Sequence, residues 1–279
     1  GYTVTENIEF TIENGVLKSD DKNVDTKNSS VVMRDELSSI KFSKKAVNGT
    51  EELPGATLVL TLDDGEVNFI DGNTDVEAVN GNPVISKEKI EFVSGNKETV
   101  IRMLPDGKYT LTEITSPDGY TVAESIKFAI ENGKIIAGDD TVVMRDKPSS
   151  VKISKTDISG EEIPGAVLTL TLDKASKTEK ATLESVAEKS DVELDKSDNR
   201  KVTWTSGDDI TFIRGLPDGE YTLSETVAPD RYKVTDSKKF IIENGKVKGG
   251  TEDKIVMVDE LSEVTVSKKE INGTEERKS

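Results

Sequence analysis

Cysteine and histidine are both absent from this 279-residue chain. Without cysteine no disulfide framework, Cys-His dyad or thiolate metal site can form. Without histidine there is no Ser-His-Asp triad and no histidine-ligated zinc site, and the usual proton carrier near neutral pH is missing. Most enzyme classes that work near neutral pH are therefore disfavoured.

Long apolar runs are also lacking, since no stretch reaches the roughly 18 apolar residues of a membrane-spanning helix. The net charge is −17 at pH 7. This charge argues against nucleic acid or an anionic membrane as a partner, because both would repel the chain, and its simplest interpretation is solubility. Hydrophobic residues make up only 33% of the chain, but they follow regular patterns that a disordered chain would not show.

The chain contains an internal repeat. The segment KFSKKAVNGTEELPGATLVLTL (41–62) matches KISKTDISGEEIPGAVLTLTL (152–172), and MLPDGKYTLTEITSPDGYTV (103–122) matches GLPDGEYTLSETVAPDRYKV (215–234). The strings VVMRD, VVMRD and IVMVD end successive copies. The period is domain-sized, far longer than the roughly 20–50 residues of a solenoid repeat.

Four segments follow from this period. Two complete repeats are predicted at 37–147 and 148–260, and they are joined by a short linker. Residues 1–36 match only the C-terminal part of a repeat, and residues 261–279 match only its start. We therefore expect this chain to be a fragment of a longer protein.

Each complete repeat is rich in strand signals. ATLVLTL, AVLTLTL, GKYTLTEI and GEYTLSET alternate apolar and polar residues, and the turn strings LPDG, SPDG and ENGK separate such runs. This pattern predicts an all-β fold of tandem immunoglobulin-like β-sandwich domains. Residues 63–90 and 173–200 are polar and irregular, so we expect surface insertions there, and 178–189 could form a short helix.

Some charged residues occupy inward positions in these strands. Lys44 shares a strand face with Ile40 and Phe42, because side chains alternate between the two faces of a strand. The same test points Glu113 and Asp146 inward in the first complete repeat. The second complete repeat carries the equivalent set Lys155, Glu225 and Asp259.

Burying isolated charges costs several kcal/mol per ion, and two arrangements would compensate for this cost. The first is an ionic triad, in which the lysine ammonium is hydrogen-bonded to both carboxyl groups. The second is chemistry, because desolvation favours a neutral amine and a protonated acid. The amine could then attack the acid, and the second carboxyl group could carry protons between them. The resulting amide is neutral and is cheaper to bury than the charged reactants.

The order Lys, Glu, Asp, together with the strings FSK, LPDGKYTLTE, SPDGY and VVMRD, resembles the Cna protein B-type (Cna-B) repeat. That family occurs in Gram-positive surface adhesins and pilins, and its members form intramolecular Lys–Asn or Lys–Asp isopeptide bonds autocatalytically with an assisting Glu. The resemblance covers nearly the whole chain. It implies isopeptide crosslinks Lys44–Asp146 and Lys155–Asp259, with Glu113 and Glu225 as proton shuttles.

The incomplete repeats provide an internal control for this interpretation. Asp35 is equivalent to the two crosslinking aspartates but has no Lys or Glu partner upstream. Lys268 is equivalent to the two lysines but has no Glu or Asp partner downstream. We expect both unpaired equivalents to stay unreacted.

The resemblance favours a structural stalk or spacer of a Gram-positive cell-surface adhesin, located outside the cell and anchored to its wall. The alternatives are an adhesin module whose 63–90 or 173–200 insertion binds a host protein or glycan, and a shaft pilin subunit. For a stalk, the expected partner is a host extracellular-matrix protein or glycan, which would bind another part of the full-length protein. We expect a monomeric segment with no nucleic-acid or membrane partner, and amide formation that occurs once per domain rather than enzymatic turnover.

No metal or cofactor is predicted. DGNTDVE (71–77) has a spacing similar to that of a calcium loop, but Val76 stands where an EF-hand needs glycine. A solvated acidic loop is therefore the favoured interpretation of this segment.

Overall fold

The structure is a computed structural model, and it describes residues 1–77, 80–136 and 138–269. The chain divides into two compact units, of which the first is Gly1–Pro148 and the second begins at Ser149. Nearly all regular elements of both units are β-strands, so the predicted all-β fold is confirmed. No helix within the described ranges is long and apolar enough to cross a membrane.

The strands of the first unit are, in chain order, β1 (Thr11–Glu13), β2 (Val16–Lys18), β3 (Val24–Asp25), β4 (Ser30–Val31), β5 (Ser39–Ala46), β6 (Thr57–Asp64), β7 (Asp75–Glu77), β8 (Asn80–Ile85), β9 (Lys89–Val93), β10 (Thr99–Arg102), β11 (Gly107–Thr115), β12 (Tyr120–Thr121), β13 (Ile126–Glu131), β14 (Lys134–Ile135) and β15 (Thr141–Pro148).

Two sheets form the body of the first unit. One has the strand order β12-β15-β5-β10-β7, and the other has the order β14-β13-β11-β6-β9-β8. Strand β15 runs parallel to β5, whereas β10 pairs with the opposite edge of β5 in antiparallel fashion. The first and last strands of the complete repeat are therefore neighbours in one sheet.

The core of the first unit is built from both sheets. Its fully buried side chains include Ile40, Phe42, Leu58, Leu60, Ile90, Phe92, Ile101, Tyr109, Leu111 and Met144. Because side chains alternate along a strand, burying this apolar set decides which face of every strand points inward. Charged residues that share the phase of these apolar residues are carried into the interior with them.

The ENGK string forms the predicted turn between β13 and β14. Asn132 and Gly133 both have positive φ angles, of 54° and 72°, which a two-residue type I′ hairpin turn requires. The carboxylate of Asp106, from the LPDG string, accepts hydrogen bonds from both backbone N–H groups at 2.8 and 3.1 Å. Two turn signals that are distant in sequence therefore stabilise each other.

Residues 1–36 form small paired segments at the start of the first unit. Strand β1 pairs with β2 and β3 pairs with β4, both antiparallel, and Tyr2 forms an isolated bridge to Leu37. Apolar side chains of this segment such as Val4, Ile12 and Met33 are exposed. The boundaries of the four repeat segments stay a prediction.

The elements of the second unit are, in chain order, β16 (Ser150–Asp157), β17 (Val167–Ala175), α1 (Glu184–Lys189), β18 (Glu193–Leu194), β19 (Lys201–Thr205), β20 (Thr211–Arg214), β21 (Gly219–Val227), β22 (Lys238–Glu243), β23 (Lys246–Val247) and β24 (Lys254–Asp259).

The second unit repeats the same arrangement. One sheet has the strand order β20-β16-β24 and the other has the order β18-β19-β17-β21-β22-β23. Strand β24 runs parallel to β16, as β15 does to β5. Its core includes Val151, Ile153, Leu168, Leu170, Leu172, Val202, Trp204, Ile213, Tyr221, Leu223, Ile242 and Met257.

The two irregular segments contribute to the cores, contrary to the expectation of surface insertions. In the first unit Phe69 is fully buried, and β7 and β8 extend the two sheets. In the second unit Leu183, directly before α1, and Val186 within α1 are both fully buried in the core. The helix falls within the range expected from the sequence but covers only its last part.

Candidate functional site

Three strands bring the inward-pointing charges of the first unit together. Lys44 lies on β5 and Asp146 on the neighbouring β15, while Glu113 lies on β11 in the facing sheet. In the parallel register Lys44 is opposite Met144. Asp146 follows two residues later on β15, so its side chain leaves the same face as that of Met144.

The three side chains meet in the interior of the first unit. Lys44 Nζ donates a hydrogen bond to Asp146 Oδ1 and lies 3.1 Å from Glu113 Oε1. The exposed fraction is 1% for Lys44, 3% for Glu113 and zero for Asp146. The sequence-predicted site residues are therefore assembled in one water-excluded cluster.

The second unit holds the same cluster. Lys155 on β16 donates a hydrogen bond from Nζ to Asp259 Oδ1 on β24, and its Nζ lies 3.1 Å from Glu225 Oε1 on β21. All three residues are buried. The geometry of this buried triad is therefore a property of the repeat rather than of one domain.

Each glutamate is held by only one of its two oxygens. Glu113 Oε2 accepts a hydrogen bond from the Ala123 backbone N–H at 2.6 Å, and Glu225 Oε2 accepts one from Thr235 N–H at 2.8 Å. Although Oε1 of each glutamate is within ion-pair distance of the lysine, it accepts no hydrogen bond of good geometry from any described residue. These oxygens are free to carry a proton.

Each aspartate also has a hydrogen-bond partner for only one of its two carboxylate oxygens. Oδ1 of Asp146 and of Asp259 contacts the lysine amine, but Oδ2 of each is buried and has no hydrogen-bond partner among the described residues. A buried anionic oxygen without a donor is costly. Each unreacted aspartate therefore keeps one unsatisfied oxygen in the interior of its unit.

Burial raises the pKa of two of these acids, Glu113 and Asp259. Removal from water raises the pKa of Glu113 to about 7, against the opposing effects of the Ala123 hydrogen bond and the Lys44 charge. Burial likewise raises the pKa of Asp259, although its contact with Lys155 opposes this shift. A glutamate with a pKa near neutrality can both accept and release a proton.

This arrangement can act in two ways. It can remain a buried ionic triad, or the amine and the aspartate can condense to an amide, because nucleophile, electrophile and proton carrier are within contact of one another. Condensation removes the charges of the lysine and the aspartate, and one aspartate oxygen leaves as water. A neutral amide needs far less compensation in a dry interior than an ion triad does.

The two unpaired equivalents lie outside such clusters. Asp35 is exposed and accepts a hydrogen bond from Thr5 Oγ1 at 2.6 Å. Lys268 is also exposed. That both stay unreacted remains a prediction.

The acidic 71–77 segment is partly neutralised by an arginine. Arg102 forms ion pairs with Asp75 at 3.3 Å and with Glu77 at 2.5 Å. These two carboxylates were candidate ligands of a calcium loop. In the structure both are paired with Arg102.

Sequence reasoning missed a further pair of acids beside the lysines. Glu52 and Glu162 each contact the strand that carries the lysine of the triad. They lie in irregular segments, where alternation says nothing about side-chain direction. The signal that could have found them is the recurrence of EELPGA and EEIPGA after each lysine strand.

A family model for the SpaA prealbumin-like fold domain matches this chain twice, at residues 38–142 and 149–255. No curated protein matches the chain. The two matches cover most of the sequence, and the chain belongs to the SpaA prealbumin-like domain family, as two tandem copies. The predicted family resemblance and the predicted class of tandem β-sandwich domains are thereby confirmed.

Three solved structures show the range of similarity to this chain. The Bacillus anthracis TIE protein matches at 18% identity and a TM-score of 0.39, covering 84% of this chain and 38% of that one. A streptococcal ancillary pilin matches at 19% identity and a TM-score of 0.33, covering 81% of this chain and 62% of that one. The shaft pilin SpaA from Lactobacillus rhamnosus GG matches at 11% identity and a TM-score of 0.32, covering 83% and 100% respectively.

Proposed function

We propose that each complete unit forms one intramolecular isopeptide bond, Lys44–Asp146 in the first and Lys155–Asp259 in the second. The observation that supports this proposal is the same buried Lys, Glu, Asp triad in both units, with the amine in contact with the aspartate and 3.1 Å from the glutamate. An ion triad kept only for stability would leave a buried carboxylate oxygen unpaired in each unit.

The reaction balances with the residues of the triad alone. A proton passes from the lysine ammonium to the aspartate, so that a neutral amine faces a protonated acid. The Nζ then attacks Cγ and forms the N–C bond, while the protonated glutamate gives its proton to the departing hydroxyl and takes one from the nitrogen in its place. The C–O bond breaks and one water leaves, and the glutamate ends in its original protonation state.

The amide would serve a mechanical purpose. It joins the first strand of the unit to the last, so a force that enters at Lys44 and leaves at Asp146 passes through the covalent bond. It also closes a loop of 102 residues, which by chain entropy contributes roughly 4–5 kcal/mol. A chain without cysteine would obtain in this way a crosslink that reducing agents cannot open.

We therefore propose that the chain is part of the stalk of a Gram-positive cell-surface adhesin, located outside the cell and anchored to its wall by other parts of the protein. Each unit reacts once, on itself, and has no substrate to turn over. Ligand binding by the insertions and a role as a shaft pilin subunit stay alternative predictions.

Intact mass spectrometry tests the crosslinks. The purified chain should be lighter than its sequence by two waters, and Glu113→Ala should restore one of them. The matched controls are Asp35→Ala and Lys268→Ala, which should leave the two-water deficit unchanged. A wild-type chain with the full unreacted mass would reject the proposal, and a Glu113→Ala chain that still lacks two waters would reject the role of the glutamate.

A further inference from the structure

The strand that carries the reactive lysine is only partly covered by its antiparallel neighbour. Strand β10 pairs with β5 as far as Phe42, which lies opposite Thr99. Beyond that point the Lys44 carbonyl accepts a hydrogen bond from Leu53 N–H at 2.6 Å. The Lys44 N–H donates to Glu52 Oε2 at 2.9 Å. A side-chain carboxylate therefore takes the place of a backbone carbonyl at the lysine.

The second oxygen of Glu52 is also used. Ser43 Oγ donates a hydrogen bond to Glu52 Oε1 at 2.6 Å, and the side chain of Glu52 is only 11% exposed. One carboxylate thus binds two consecutive residues of β5 through charge-assisted hydrogen bonds, which are stronger than neutral ones. The backbone at Lys44 cannot shift without breaking at least one of them.

The second unit has an equivalent carboxylate clamp. Lys155 N–H donates to Glu162 Oε2 at 2.9 Å, and Ser154 Oγ donates to Glu162 Oε1. The Lys155 carbonyl accepts from Ile163 N–H at 2.8 Å. As in the first unit, the antiparallel neighbour β20 stops two residues earlier, at Ile153.

The clamp is kept although the connecting turns differ. Glu52 follows its lysine by eight residues, whereas Glu162 follows its lysine by seven. In the first unit Asn48 has a φ of 63°, and in the second Asp157 organises the turn by accepting from Ser159 N–H at 2.8 Å. Two turns of different length deliver the same contact, so the contact is not a by-product of one loop conformation.

We propose that Glu52 and Glu162 are positioning residues for isopeptide bond formation, an inference that rests on the proposed function. Neither touches the reacting atoms. Each fixes the backbone of the lysine strand, so that the amine is held against the aspartate while the water-excluded site closes. Small displacements of reacting groups cost up to roughly a hundredfold in rate, and an unclamped lysine strand should show a loss of this kind.

The test follows bond formation in each unit of the full chain separately. Chains made by cell-free synthesis are quenched in acid at timed intervals, and the Lys44–Asp146 and Lys155–Asp259 crosslinked peptides are quantified by mass spectrometry after digestion. Glu52→Ala should slow the first bond by roughly tenfold to a hundredfold and leave the second at the wild-type rate. Glu162→Ala should do the reverse, and Glu51→Ala, at an exposed neighbour, should change neither.

Glu52→Gln separates positioning from charge. The glutamine retains an oxygen that can accept from Lys44 N–H, so this variant should recover most of the lost rate. A positioning residue should also leave the shape of the rate–pH profile unchanged, unlike a change at Glu113. Limited proteolysis shows whether the first unit of Glu52→Ala still folds. If it does not, the rate of Glu52→Gln tests the positioning role, and a rate well below that of the wild type would contradict it.

The outcomes distinguish this inference from the proposed function. If neither crosslink forms in the wild-type chain, the proposed function itself fails. If both form but Glu52→Ala reacts at the wild-type rate, or Glu52→Gln is as slow as Glu52→Ala, the positioning role is overturned and the crosslinks stand. A slow Glu52→Ala rescued by Glu52→Gln supports the positioning role.

Discussion

Glu113 lies between a cation and an acid in a site without water. Its raised pKa, about 7, is caused mainly by burial and is what a proton carrier at neutral pH requires. The Ala123 N–H holds one oxygen in place, which leaves the other directed at the lysine. The same residue is therefore both anchored and able to exchange a proton.

The first prediction concerns pH. The rate of Lys44–Asp146 bond formation should fall as the pH rises through about 7. Above this pKa Glu113 is ionised, so it cannot donate a proton to the departing hydroxyl, and its negative charge stabilises the Lys44 ammonium. Timed mass spectrometry of the crosslinked peptide at a series of pH values checks this. A rate that is flat or rises across this range would contradict it.

The second prediction concerns Asp218, the buried aspartate of the second LPDG string. Its carboxylate accepts from the backbone N–H groups of Asn244 and Gly245 at 2.7 and 3.0 Å. Asp218→Ala removes the acceptor of both N–H groups and should lower the free energy of unfolding of the second unit by about 3 kcal/mol. Urea denaturation measures this loss, and Glu243→Ala, at an exposed position beside the same turn, should have little effect.

At the scale of the element, the parallel pairing of the first and last strands of each unit brings the lysine and the aspartate of the triad next to each other. Strand alternation was enough to predict that the six triad residues point inward, because the apolar residues of the same phase must be buried. Strand alternation could not predict that Glu52 points toward the lysine strand, because the direction of its side chain is set by a turn. Nor could it predict the burial of Phe69, since that depends on packing between residues distant in the chain.

The irregular segment of the second unit gives the third prediction. Leu183 directly precedes α1 and is fully buried in the core. Leu183→Ala should destabilise the second unit by about 2–5 kcal/mol through the cavity it leaves, whereas Glu188→Ala, at an exposed helix position, should not. Urea unfolding followed by Trp204 fluorescence reports on this unit. Equal stability of the two variants would show that the segment is dispensable to the core.

At the scale of the whole molecule, each unit carries its own clamp and its own triad. The fourth prediction is mechanical. The 102-residue spacing of Lys44 and Asp146 corresponds to about 350 Å of extended chain, and this length should be missing when single wild-type molecules are stretched from their ends. Glu113→Ala should restore an unfolding step that releases it. A wild-type molecule that releases the full length from either unit would contradict the crosslink in that unit.

Because β5 and β15 are neighbours in the fold but far apart in the sequence, the proposed Lys44–Asp146 bond can form only late in synthesis. Synthesis delivers Lys44 early and Asp146 late, so almost the entire unit must have emerged before both partners are present. Until then the chain is linear and can pass, fully extended, through an opening of single-chain width. The proposed amide would make the unit a covalent ring, which an opening of single-chain width cannot admit, so the crosslinked unit could not pass back through such an opening.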